Sequence, residues 1–167
     1  MEMLRKAFIL AEKKHRGQKY GDNSFIAHPF AVMTVLIEFG VMQEKYLCAA
    51  LTHDIIEDTA THYSEVKETT NKEVAELVFA LSDELGRNRK ERKIKTMPKL
   101  KECPDALVVK LADKISNFRD ARKNNPGFIQ MYKKDWNEFK DTFYVEGSFM
   151  EPMWKEAETL LYGNPGR

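Results

Sequence analysis

The chain has 167 residues, enough for one sizeable hydrophobic core and too few for two ordinary domains, so one domain spanning 1–167 is expected. Its 27 basic and 26 acidic side chains leave a formal charge of +1, a balance that provides no field for nucleic acid, which is not expected as a partner. Cys48 and Cys103 offer neither a disulfide framework nor paired ligand spacing, the opening residues lack a signal-peptide apolar region, and no stretch approaches a membrane span. Reduced thiols and a soluble cytoplasmic protein are the expectation.

A first helix is predicted over 2–16, because Leu4, Ala7, Phe8, Ala11 and His15 recur at spacings of three and four. Gly17, Gly21, Asp22, Asn23 and Ser24 make the next stretch a loop. A largely buried second helix runs from Pro29 in its first turn to Gly40 past its end, with Phe30, Val32, Val35, Leu36 and Ile37 among its apolar residues. A third helix enters through Tyr46–Leu51 and carries the hexamer His53-Asp54-Ile55-Ile56-Glu57-Asp58, with Thr59 and Thr61 as its exit. Asn71 is a good N-cap for a fourth, in which Val74, Leu77, Val78, Leu81 and Leu85 form a stripe before Gly86.

Residues 87–101 are the strongest charge cluster: Arg87, Arg89, Lys90, Arg92, Lys93, Lys95, Lys99 and Lys101 surround the single acid Glu91, and Pro98 breaks the run. Two readings stay open, a solvated helix face or a phosphate-binding rim in which Arg89 and Lys90 contact substrate. Pro104 and Asp105 open a further helix with Leu107, Val108, Leu111, Ile115 and Phe118 inward and Lys110, Asp113 and Asn117 on a different face. A C-terminal helical hairpin follows over 125–163, with Phe128, Tyr132, Trp136, Phe139 and Phe143 as core packing, a turn at Gly147, and Trp154, Ala157, Leu160 and Leu161 after Pro152. No strand is expected, so the fold class is all-α, a helical bundle.

The hexamer concentrates the chemistry. If it is helical, His53, Asp54, Glu57 and Asp58 fall within one sector of roughly 140°. A His-Asp pair in an apolar helix is expensive to bury without a positive partner, and a divalent cation is an economical one. His28 stands at a helix start, and Asp113 lies in the apolar run Lys110-Leu111-Ala112-Asp113. Two imidazoles and two carboxylates make a mixed N/O metal site for Mn²⁺, with Fe²⁺, Zn²⁺ or Mg²⁺ as the other candidates. Such an ion lowers the pKa of water and polarises a phosphoryl oxygen, which leaves Glu57 and Asp58 as catalytic acid and base, Glu57 favoured as base. Lys110 and Asn117, at i−3 and i+4 from Asp113, can touch a phosphate or ribose above it.

His28-Pro29, His53-Asp54 with Glu57-Asp58, Lys110-Leu111-Ala112-Asp113 with Asn117 and Arg119, and upstream His15-Arg16-Gly17-Gln18 resemble the HD-domain phosphohydrolases. The likeness covers roughly 4–123 and is to the hydrolase half of RelA/SpoT-type enzymes and the small alarmone hydrolases. It implies one Mn²⁺ on His28, His53, Asp54 and Asp113, catalysis by Glu57 and Asp58, and nucleotide contact by Asn117. The family's reaction is hydrolytic removal of the 3′-pyrophosphate from guanosine tetra- or pentaphosphate, (p)ppGpp, and some small members act on the 2′-phosphate of NADPH. The chain departs from that pattern in a shortened loop, Lys19-Tyr20-Gly21, with Lys19 as its candidate substrate contact, and in Asp120 where the family often has Thr. A nucleotidase or NADPH 2′-phosphatase is therefore the alternative, and a regulatory nucleotide- or protein-binding module the second alternative. An oligomer stays open.

Overall fold

The computed structural model describes residues 1–163, the side chain of Arg89 excepted. In chain order the elements are α1 (Glu2–Lys14), β1 (Lys19–Tyr20), β2 (Asn23–Ser24), α2 (Ala27–Glu38), α3 (Glu44–Thr52), α4 (Ile55–Asp58), α5 (Tyr63–Thr69), α6 (Lys72–Leu81), α7 (Arg89–Glu102), α8 (Pro104–Asn124), α9 (Gly127–Phe143) and α10 (Glu151–Tyr162). The fold is all-α as expected, with one small exception. Lys19 pairs with Ser24 and Tyr20 with Asn23 in an antiparallel hairpin, and Gly21 takes the left-handed conformation, φ +57, that its turn requires. Two-residue strands are too short for any alternation to be read from sequence.

Helix α8 is the axis. It packs against α2, α3, α6, α7, α9 and α10, and Leu107, Val108, Val109, Leu111, Ala112, Ile115 and Phe118 are all buried. Pro104 sits in its first turn, where a missing N–H costs nothing. Helix α3 is buried from Tyr46 to Thr52, and both pack on α2, although Phe30 and Ile37 of α2 face solvent. In the C-terminal hairpin Trp136, Phe139, Phe143 and Trp154 join the core as expected, with Trp136 and Trp154 rings 5.3 Å apart, but Phe128 is exposed.

Three boundaries differ from those expected. The hexamer is not one helix: α3 ends at Thr52, and Asp54, at φ −91 and ψ −3, starts the short α4. Helix α6 ends at Leu81, where the Ser82 hydroxyl donates to the Val78 carbonyl at 2.8 Å, so Leu85 leaves the stripe and is 89% exposed. Pro98 does not break the cationic segment: α7 runs through it, capped by Asn88, whose Oδ1 accepts from the Glu91 N–H at 2.9 Å. Only the carbonyl of Ile94 loses its intrahelical donor there. The short α5 had no sequence signal beyond Tyr63 and Val66 at i, i+3.

Candidate metal centre and its cleft

Helix packing brings His28 of α2, His53 and Asp54 at the α3–α4 break, and Asp113 of α8 together. The His28 Nε2 is 3.3 Å from Asp113 Oδ1 and 3.6 Å from Asp54 Oδ2, and the His53 Nε2 is 3.1 Å from Asp54 Oδ2 and 3.8 Å from Asp113 Oδ1. Ligand atoms of His28, His53 and Asp113 lie within 4.8 Å of one another. The break explains how neighbours in sequence serve one point: in a continuous helix His53 and Asp54 would diverge by about 100°.

The donor set fits a cation. His53 Nδ1 donates to the Ala50 carbonyl at 2.8 Å, which leaves Nε2 as the ring's remaining site for a proton or an ion, and that buried Nε2 has no hydrogen-bond partner. Burial alone would lower the His53 pKa, but Asp54 and then Asp113 outweigh it and hold it at about 9. Burial likewise opposes ionisation of Asp113, yet His28 and Lys110 keep its carboxyl below the usual range. The buried centre thus favours positive charge at the convergence of its four side chains, which a divalent ion would supply.

A cavity of about 380 Å³ opens from this centre. Glu57 and Asp58 stand at its edge. The Glu57 Oε2 accepts from the Asp83 N–H at 3.0 Å, and its Oε1 lies 3.7 Å from Arg92. Burial pushes the pKa of both carboxyls up; at Glu57 the Asp83 N–H opposes it while the Asp83 charge adds to it, and at Asp58 the Asp54 charge adds to it. Asp58 is held from behind: Gln18 Nε2 donates to its carbonyl at 3.1 Å, and Gln18 Oε1 accepts from His15 Nδ1 at 2.7 Å. The far wall comes from α7, α8 and α9 and includes Arg92, Lys93, Lys110, Lys114, Tyr132 and Phe139. Lys93 reaches across to Glu138 of α9 at 2.8 Å.

Two expected contacts are misplaced. Lys19 and Lys90 are exposed and do not line the cavity, because Lys19 faces away from Tyr20 on the hairpin and Lys90 sits in the first turn of α7. The Arg89 side chain lies outside the described residues. The missed residues Arg92, Lys93, Thr96, Met97 and Leu100 recur at helical spacing with two apolar members, a phase that marks the inward face of α7. Tyr20 and Asp120 flank a second cavity of about 400 Å³, with Arg119 and Lys123 also on its wall. Asp120 lines this second cavity and not the first.

The HD domain family matches residues 7–135, a span that contains all four converging side chains and the adjacent acidic pair. The chain belongs to the HD domain family. Among similar proteins is "Guanosine-3′,5′-bis(diphosphate) 3′-pyrophosphohydrolase MESH1" of Drosophila melanogaster, 34% identical over 79% of this chain and 73% of that protein. The human protein of the same name is 34% identical over 86% of this chain and 79% of its own length. "Bifunctional (p)ppGpp synthase/hydrolase SpoT" of Escherichia coli is 35% identical over 71% of this chain, which spans only 18% of that longer protein. A solved structure described by the words "A metazoan ortholog of SpoT hydrolyzes ppGpp and plays a role in starvation responses" shares the fold, with a TM-score of 0.78 and 24% identity over 98% of both chains. No helix among the described residues is long and apolar enough to cross a membrane.

Proposed function

We propose that this HD protein is a divalent-metal-dependent phosphohydrolase that removes the 3′-pyrophosphate of (p)ppGpp. The observation that carries the reading is the buried convergence of His28, His53, Asp54 and Asp113, with an unpartnered His53 Nε2, at the head of a cleft edged by Glu57 and Asp58. The names of the MESH1 and SpoT relatives supply the substrate. His28, His53, Asp54 and Asp113 would hold the ion, Mn²⁺ being the first choice for two imidazoles with two carboxylates. When bound it supplies Lewis-acid stabilisation of the phosphoryl oxygen and a more acidic water.

The chain's own residues do the rest. Glu57 Oε1, its partner oxygen already fixed by the Asp83 N–H, takes a proton from the attacking water, and its raised pKa makes it a better base than an exposed carboxylate. The water oxygen bonds to phosphorus, the bond between phosphorus and the ribose 3′-oxygen breaks, and that oxygen takes its proton from Asp58, whose raised pKa favours the acid form. Lys110, Arg92 and Lys93 balance the charge of the pyrophosphate, and Asn117 contacts the ribose.

The test is a panel of (p)ppGpp, NADPH and nucleoside mono- and triphosphates with the purified Mn²⁺ protein. Release of pyrophosphate from (p)ppGpp, lost in Asp54→Ala, is the expected result. Silence across the panel, or activity that survives Asp54→Ala, overturns it. A second reading, an HD-type nucleotidase or NADPH 2′-phosphatase, has Tyr20 of the shortened loop in its favour, since Tyr20 lines the cavity at the metal centre, whereas Asp120 does not. Turnover of a nucleotide other than (p)ppGpp in the same panel would select it.

A further inference from the structure

The two imidazoles of the metal centre are held in different ways. A ligating histidine is ordinarily oriented by a hydrogen bond from its other ring nitrogen. His53 has that bond, to the Ala50 carbonyl, but the Nδ1 of His28 is buried with no partner. What lies against the His28 ring instead is Tyr20, stacked at a centroid distance of 4.8 Å and an interplanar angle of 16°, while Phe25 and His53 meet it edge-on. The same tyrosine reaches a second member of the set. Its hydroxyl donates to Asn117 Oδ1 at 3.1 Å, and Asn117 Nδ2 donates to Asp113 Oδ1 at 2.6 Å. That carboxylate oxygen is the one nearest both imidazoles.

We propose that Tyr20 is a positioning residue for the metal centre, fixing the ring plane of His28 by stacking and the metal-facing oxygen of Asp113 through Asn117. The proposal rests on the metal reading given above. It gives the small hairpin a purpose, since β1 and β2 place one side chain between α2 and α8, and that side chain indexes a ligand from each. It also accounts for the geometry of Asn117, whose amide is oriented by the tyrosine so that nitrogen, not oxygen, faces Asp113. A carboxylate oxygen has two lone pairs, so one can accept from Asn117 while the other serves an ion.

The experiment is Mn²⁺ titration without nucleotide, followed by the electron paramagnetic resonance signal of the free and bound ion, on the unsubstituted protein, Tyr20→Phe and Tyr20→Leu. Removing ring and hydroxyl together in Tyr20→Leu should weaken binding about tenfold, the lower end for a group that orients a ligand. Tyr20→Phe, which keeps the stack and loses the hydroxyl, should fall between, and the bound-ion spectrum should broaden in both variants. Thermal midpoints of the metal-free proteins separate this from general loss of structure, and the near-isosteric Tyr20→Phe decides if Tyr20→Leu does not fold. Unchanged Mn²⁺ affinity in Tyr20→Phe, or in folded Tyr20→Leu, overturns the proposal. If the unsubstituted protein binds Mn²⁺ but is silent on the nucleotide panel, the substrate assignment falls while the role of Tyr20 is judged on the titration; if it binds no Mn²⁺, both are overturned.

Discussion

At the metal end of the cleft, four side chains from α2, the α3–α4 break and α8 meet in a buried centre where each is held by a neighbour. At the other end, α7 and α9 face each other through Lys93, Glu138 and Asp135, side chains that keep partial contact with solvent and pair across a gap, while Arg92 beside them reaches back to Glu57. The first end is specified by identity: two imidazoles, which only His supplies, and two carboxylates of the right reach must meet on one centre. The second is specified by charge and position, so another cation one turn away would leave the wall much the same. On the proposed function, chemistry belongs to the first end and substrate fit to the second.

Substitutions should separate the two ends, beginning with the most severe. Asp54→Ala, or chelation of the unsubstituted protein, is expected to abolish hydrolysis, and metal analysis should find the variant empty while Mn²⁺ restores the chelated protein. Glu57→Gln should retain metal and lose about 10²–10⁴-fold in kcat. Because burial raises the Glu57 pKa, the acidic limb of the kcat profile should lie above the ordinary carboxylate value: activity rises as pH climbs and the base ionises, and Glu57→Gln flattens that limb. Trp154→Ala, behind the α9 wall, should cost about 3–5 kcal/mol in urea unfolding. Trp154→Phe should cost far less, since it deletes an indole N–H that is buried without a partner. Least severe is Lys93→Gln at the cationic wall, expected to raise KM about tenfold with kcat nearly unchanged, the size of one lost charge-assisted contact. A kcat loss there as deep as that of Glu57→Gln would break the division between the ends.

What the sequence revealed follows the same division. His28, His53, Asp54 and Asp113 were legible because such groups in apolar segments need a shared partner, and Asn71 because an N-cap is a local event, its Oδ1 accepting from the Val74 N–H at 2.8 Å. Helix α8 was legible in both its apolar face and its polar one. The break at His53-Asp54 was not, since nothing in the local residues forbids a continuous helix there and tertiary packing sets the bend. Lys90 cannot be told from Arg92 and Lys93 in sequence because a run of cations has no internal signal of depth; Met97 and Leu100, four and seven residues from Lys93, fix which side of α7 turns inward. Tyr20 registered merely as a departure in a loop, as its contacts with His28 and Asn117 join segments remote in sequence.

The bond from His53 to the Ala50 carbonyl has a further consequence. With Nδ1 committed, the ring has a single remaining acceptor, and near neutral pH a proton occupies it, because its pKa is about 9. An incoming ion must evict that proton. Loading should therefore acidify an unbuffered solution by about one equivalent, and its heat should vary with the ionisation enthalpy of the buffer. Apparent affinity should climb about tenfold per pH unit up to the imidazole pKa, so that mild acid empties the centre while the surrounding helices stay folded.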